Sequence, residues 1–416
     1  MKTGGEAIFA YVLPVLRRLT VEGFKSIGRE LDIQLGKVNV FIGANGSGKS
    51  CILEALGILS AGAEGRIDDG HLLRRGVRPG VPRLYKSAFK KLRQRPCITL
   101  RAEFGPEGRQ ATYKLAIDNP MENPLDAWRY RSESLADKDW EYKNYSRSNR
   151  SKNLPVDSQT GLTGRCATDP AMNEPVRNSI QSLIDYAIFS PNTQTLRGLV
   201  PDLYQRQPIG LSGGRLPEAY GEMLRFQRQE DEDCENLEEF LSLVDWMSGL
   251  RVTNPSRHIL SPNVPAPVRV LEFRDRYLLP NSNRLLAHDV SEGALYVLSL
   301  AIFALHPQTP AILAIDNFDQ ALNPRLARSL MTLYCQQVMK RKGVAQTFFT
   351  THNPAVLDGL DISNDEVRLF AVDRDSNGMT TATRILLSEE LISEAKSGMT
   401  LSRLWVSGRL GGVPDL

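Results

Sequence analysis

Val38-Asn-Val-Phe-Ile-Gly-Ala-Asn-Gly-Ser-Gly-Lys-Ser50 is the stretch on which the reading of this chain turns. Val38–Ile42 is apolar and β-branched and ends at glycine, which predicts a strand. Lys49 to Leu59 places Ile52, Leu53, Leu56 and Leu59 at helical spacing, which predicts a helix. Between them Gly43, Ala44, Asn45, Gly46, Ser47, Gly48, Lys49 and Ser50 fit GxxxxGK[ST], the loop that wraps phosphates between a strand and a helix. Its glycines let backbone N–H groups curl around an anion, and the helix amino terminus adds favourable partial charge. Lys49 is expected to reach the β- and γ-phosphates, and Ser50 to ligate Mg²⁺.

The carboxyl third alternates in type. Glu292–Leu305 reads as a helix, Ala311–Ile315 as a strand, Pro324–Met339 as a helix and Ala345–Thr350 as a strand, which predicts a parallel sheet covered by helices. Asp316 ends the apolar run Ala311–Ile315 and is the expected acidic partner of the metal. Leu19–Val21 reads as a short strand. Ile98–Phe104 and Ala111–Ile117 read as a pair joined by Gly105-Pro106-Glu107-Gly108. Asn119–Pro170 is polar and reads as a surface insertion, Pro175–Leu250 as helical, and Val268–Phe273 as a return to strand. The expected division is therefore a split core, 1–118 and 268–416, with an inserted irregular and helical lobe over 119–267.

Composition sets the outer limits. The chain has 416 residues, of which 41% are hydrophobic and 24% charged, so a fibrous or wholly disordered chain is excluded. A net charge of +3 supplies no global attraction to nucleic acid or membrane, so any such attraction must be local. Its five cysteines are scattered without a CxxC pair, which argues against structural zinc and for a reducing compartment. No apolar run is long enough to span a bilayer, and a cytoplasmic location without membrane contact is expected.

Leu16–Ser50, LRRLTVEGFKSIGRELDIQLGKVNVFIGANGSGKS, resembles the opening of the ABC-type ATPases of the OLD, RecF and SMC group. Ser291-Glu292-Gly293 is similar to that group's degenerate signature, Asp316 to its Walker B aspartate, Ala321-Leu322-Asn323-Pro324 to its D-loop, and His352 to its switch histidine. The likeness is firm over roughly 16 to 60 and 268 to 360. It implies an ABC-type P-loop head, a mixed sheet flanked by helices. It implies ATP and Mg²⁺ as ligands, with Gly43, Asn45, Gly46, Ser47, Gly48, Lys49, Ser50 and Cys51 around the nucleotide. It also implies Lys49, Asp316, the residue at 317 and His352 at the reaction, and a homodimer in which Ser291 and Gly293 of one copy close the nucleotide held by the other. Lys25 sits where related heads place a basic residue near the phosphates; a solvated lysine is the alternative. Leu211-Ser212-Gly213-Gly214 spells the best-known signature literally but lies far upstream of Asp316, and is expected to be a turn before a helix.

One departure bears on rate. The group carries Glu directly after the Walker B aspartate, and this chain has Asn317. A carboxamide cannot accept a proton, so hydrolysis is expected to be slow. Asp319 is a candidate substitute whose direction the sequence does not fix. Neither the group's TOPRIM nuclease nor SMC-like arms are expected in this chain, and the resemblance to compact heads of that kind implies a sensor or regulatory subunit acting on a separately encoded effector, a nuclease or toxin, in bacterial anti-phage defence. A RecF-like repair ATPase on duplex DNA and a non-hydrolysing ATP-locked scaffold are the alternatives. For DNA the candidate surface is Arg66–Arg101, with eleven basic residues against Asp68 and Asp69; a solvated face is the other reading. Glu230–Glu239 holds seven acidic residues and is either a docking patch or a solvated helix start. Leu401, Leu404 and Trp405 form a stripe expected to pack on the chain's own domain.

Overall fold

The computed structural model describes residues 15–412 apart from 106–110, 139–140, 146–157, 162, 164–169, 171, 231–234, 256–267, 342–345, 387 and 389–398. Most of the expected turn at Gly105–Gly108 and part of the acidic run Glu230–Glu239 lie outside the described residues. So does Ala345.

Among the described residues the strands are β1 (Leu16–Glu22), β2 (Leu31–Gln34), β3 (Val38–Ile42), β4 (Ile98–Phe104), β5 (Ala111–Asp118), β6 (Arg129–Ala136), β7 (Glu141–Tyr145), β8 (Ala187–Phe189), β9 (Met247–Thr253), β10 (Val270–Asp275), β11 (Arg284–Leu286), β12 (Ile312–Ile315), β13 (Gln346–Thr351), β14 (Val367–Arg374) and β15 (Thr380–Ile385). One six-stranded sheet runs β15-β14-β3-β13-β12-β8, parallel except for the β15 edge. A second, antiparallel, runs β2-β1-β4-β5-β6-β7, and a small third sheet runs β11-β10-β9.

β3 is buried along its whole length because helices or the second sheet cover both faces of the parallel sheet. Val38, Val40 and Ile42 enter one core cluster and Phe41 the other, as a period of two dictates. Phe41 stacks on Phe370 with centroids 5.2 Å apart; truncating such a ring costs about 3–5 kcal/mol. The buried amide of Gln346 joins the two large sheets. Its nitrogen donates to the Leu16 and Gly36 carbonyls, at 2.8 and 2.6 Å, and its oxygen accepts from the Leu16 N–H at 3.2 Å.

The helix expected over Lys49–Leu59 runs on to Glu64. Gly65 stops it in the left-handed region, φ 111°, donating its N–H back to Ala61 and Gly62. Helices Glu292–Leu305 and Pro324–Lys340 occupy the expected stretches. Residues 119–267, expected as an inserted lobe, contribute strands to both large sheets. β6 and β7 extend the antiparallel sheet, and β8 forms an edge of the parallel one beside β12. Strand β6 reads as polar because only one of its faces is buried, with Tyr130 and Leu135 turned inward between exposed or half-exposed neighbours. Leu404 and Trp405 are buried as expected, and Ser402 anchors their helix (Leu401–Val406) to the Asp358 carboxylate.

Candidate nucleotide site

Strands β3, β12 and β13 are parallel, so their carboxyl ends open on one edge of the sheet. There the Gly43–Ser50 loop, Asp316 and His352 come together, each directly after its strand. Two glycines are required by space as well as by angle. A Cβ on Gly43 (φ +155°) would lie 2.2 Å from the Val372 carbonyl oxygen, and one on Gly48 (φ +115°) 2.1 Å from Thr380 Oγ1.

Lys49 is buried and its Nζ donates to the Gly43 and Ala44 carbonyls, at 2.8 and 3.0 Å, closing the loop on itself. It lies 3.5 Å from His352 Nδ1. Burial pulls the Lys49 ammonium down to about 8, against the attraction of Asp316 and Asp319. Burial and the neighbouring Lys49 charge hold His352 below the usual imidazole range, which favours its neutral form. Ser50 Oγ is 3.3 and 3.2 Å from the two Asp316 oxygens, and Asp316 also accepts from the Thr350 hydroxyl.

A phosphate chain with a divalent cation fits these residues. Among the described residues Ser47 Oγ is buried with no hydrogen-bond partner and nothing crowds Gly46, and no acidic residue stands in the first turn of the Lys49–Glu64 helix. A hydroxyl and a carboxylate are the hard oxygen donors that Mg²⁺ takes, with phosphate oxygens and water completing its shell. Among the described residues no group of three His, Cys, Asp or Glu could hold a metal alone.

The remaining predicted residues are distributed as follows. Asn45 is exposed at the mouth of the loop, and Cys51 is half-buried, its Sγ accepting from Ser26 Oγ at 3.5 Å. Lys25 pairs with Glu54 at 2.7 Å and lies 4.9 Å from the Tyr85 ring centroid, so its charge is engaged within the fold. Asn317 is exposed, with φ +56°. Ser291 is exposed at the amino terminus of helix Glu292–Leu305, its hydroxyl unused as a cap. A Cβ on Gly293 would meet Ala321 and Leu326, at the D-loop-like segment. Ser212 and Gly214 are held by a carboxylate inside the chain: Asp202 Oδ2 accepts from their N–H groups at 2.8 and 3.2 Å.

Sequence reading missed the residues that brace the loop. Thr380 Oγ1 donates to the Ser47 carbonyl and Arg374 Nε to the Gly46 carbonyl, both at 2.7 Å, from the β14–β15 hairpin. More than three hundred residues separate each pair, so no local pattern could signal them. Thr350, two places before His352, was the nearest to visible. The Arg66–Arg101 stretch shows less free charge than its sequence suggests. Arg66 pairs with Asp68, Arg74 and Arg75 with Glu64, Arg78 with Glu54, Lys86 with Asp118, Arg95 with Glu22, and Arg101 with Glu103.

Residues 38–358 match the family model described as "AAA domain, putative AbiEii toxin, Type IV TA system". The chain belongs to that family. The fold of this AAA-family ATPase is that of the ABC-type P-loop heads of SMC proteins. It superposes on an SMC head bound to the C-winged helix domain of ScpA with a TM-score of 0.55 and 12% identity, covering 93% of this chain and 100% of that one. The SMC head with an extended coiled coil from Pyrococcus furiosus, bound to the C-terminal domain of ScpA, gives 0.52 and 11% over 93% and 100%. At these identities the likeness is one of fold. No curated protein matches the sequence. The family match stops before β14 and β15, yet that hairpin holds the ATPase's phosphate loop from behind. Among the described residues no helix is long and apolar enough to cross a membrane.

Proposed function

We propose that this ATPase binds MgATP at Gly43–Ser50 and dimerises around it, each copy's Ser291 and Gly293 closing the nucleotide held by the other. The observation that carries this reading is the pairing of a complete phosphate edge, Lys49, Ser50, Asp316 and His352, with a signature-like Ser291 that is exposed and whose neighbour Gly293 faces Ala321 and Leu326. Lys49 and the loop N–H groups would hold the phosphates. Ser50 and Asp316 would hold Mg²⁺, which supplies charge neutralisation across the β- and γ-phosphates. His352, beside Lys49, would hydrogen-bond the terminal phosphate as an N–H donor.

Turnover is slow in this reading, because the Asn317 carboxamide orients water but accepts no proton. General-base help of roughly 10²- to 10⁴-fold is lost at that position. A long-lived ATP-bound pair is a switch rather than a motor. Its output is control of a separately encoded effector, a nuclease or toxin, in bacterial anti-phage defence. The toxin and toxin–antitoxin system named in the family's description support a role in a conflict system, and the SMC heads seated on ScpA domains are precedents for such a head holding a second protein. Duplex-DNA repair is favoured less, since the expected basic surface is largely consumed by ion pairs within the chain.

Native mass measurement of the protein, alone and co-expressed with the products of adjacent genes, tests the proposal. A dimer with ATP and a monomer with ADP is expected, with an adjacent product retained on it. A monomer under both conditions defeats the reading, and steady-state turnover of tens per second defeats the switch.

A further inference from the structure

The switch described above leaves open what accepts the proton of the attacking water. The left-handed turn at Asn317 redirects the chain just after β12, with Asn317 N–H donating to Thr350 Oγ1 at 2.9 Å and Phe318 N–H to the Thr350 carbonyl at 3.0 Å. That turn exposes Asn317 and brings Asp319 back to the phosphate edge. Its Oδ1 accepts from the His352 N–H at 3.3 Å, and its charge acts on both the Lys49 ammonium and the His352 ring.

The two carboxylates at this edge differ in what they have left to give. Asp316 already accepts from Ser50 and Thr350, the arrangement of a group that holds a cation. Asp319 is half-buried, and among the described residues no donor reaches its Oδ2. A carboxylate with an unused oxygen, beside the lysine that would hold the terminal phosphate, is what the missing glutamate would otherwise provide.

We propose that Asp319, two residues beyond the position where the glutamate is missing, is the general base for the slow ATP hydrolysis that remains to this chain, an inference that rests on the ATPase reading above. The water oxygen bonds to the γ-phosphorus while the bond from that phosphorus to the β–γ bridging oxygen breaks, its electron pair leaving with ADP. The proton of the water passes to Asp319 Oδ2 and then to the released phosphate or solvent.

Asp319→Asn separates this role from a structural one, because asparagine keeps an oxygen to accept from the His352 N–H and loses only the capacity to take a proton. Single-turnover phosphate release from the Mg²⁺- and ATP-loaded protein is expected to fall roughly 10²-fold, with unchanged affinity for a fluorescent ATP analogue. Adding Asn317→Glu to that variant restores release. Unchanged release in an ATP-binding Asp319→Asn protein overturns the proposal. Should that variant not fold, Asp319→Glu decides: measurable release supports the base, and complete loss at unchanged ATP affinity overturns it. Wild-type protein that binds no ATP overturns the ATPase reading itself, and this proposal with it.

Discussion

Gly43–Ser50 and Leu211–Gly214 are both glycine-containing turns that lead into helices, and both spell ATPase motifs. In the second, the chain supplies its own anion. Asp202, buried, accepts from the N–H groups of Ser212 and Gly214, and Leu211 is buried beneath the turn. In the first, among the described residues, no carboxylate accepts from the loop's N–H groups. The loop is fastened by its carbonyls, Gly43 and Ala44 to Lys49, Gly46 to Arg374 and Ser47 to Thr380. Apart from the Ser47 N–H, which bonds the Ala44 carbonyl within the loop, holding the loop by its acceptors leaves its donors to converge on something from outside. A motif therefore becomes a binding site only where the surrounding fold leaves its donors unspent.

The contrast can be broken at either turn. Lys49→Ala removes the closing cation and is expected to weaken ATP binding by roughly 100-fold, read by equilibrium dialysis; retained affinity would mean the loop is not the site. Asp202→Ala leaves three partly buried N–H groups, those of Tyr204, Ser212 and Gly214, without their acceptor. It should lower unfolding stability by about 2 kcal/mol in a urea titration while leaving ATP affinity alone. A change in affinity at unchanged stability would instead make Leu211–Gly214 part of the site.

Ser291→Arg places bulk and charge where the second copy would close. Dimerisation with ATP, followed by sedimentation, should weaken at least about tenfold, whereas Ser212→Ala should leave it unchanged; the opposite pattern would exchange the roles of the two segments. The smallest effect is expected from Arg374→Ala, which removes one bond to the Gly46 carbonyl. A loss of about threefold in ATP affinity is expected, and no loss would show that Thr380 and Lys49 suffice to hold the loop.

Much of the fold was legible because its determinants are contiguous. Ile312–Ile315 is a continuous apolar run of the length a strand buried on both faces takes, and helix Pro324–Lys340 opens on Asn323, whose side chain accepts from the Leu326 N–H, with proline at the first helical position. β6 was not legible, since a strand with one wet face resembles a polar loop in composition. β8, with three residues, is too short to carry a period.

At the nucleotide edge the sequence by itself determined the loop, Lys49, Ser50 and the acid that ends β12, because their chemistry lies within a few residues of a strand that one run of side chains specifies. Tertiary structure alone decided the rest. The direction of Asp319 depends on a left-handed turn pinned by Thr350 of another strand, the burial that lowers the basicity of His352 depends on packing around it, and the brace from Arg374 and Thr380 depends on β14 lying beside β3. A side chain's type is a local property; which way it points after the strand ends, and what it meets there, is fixed only when distant strands pair.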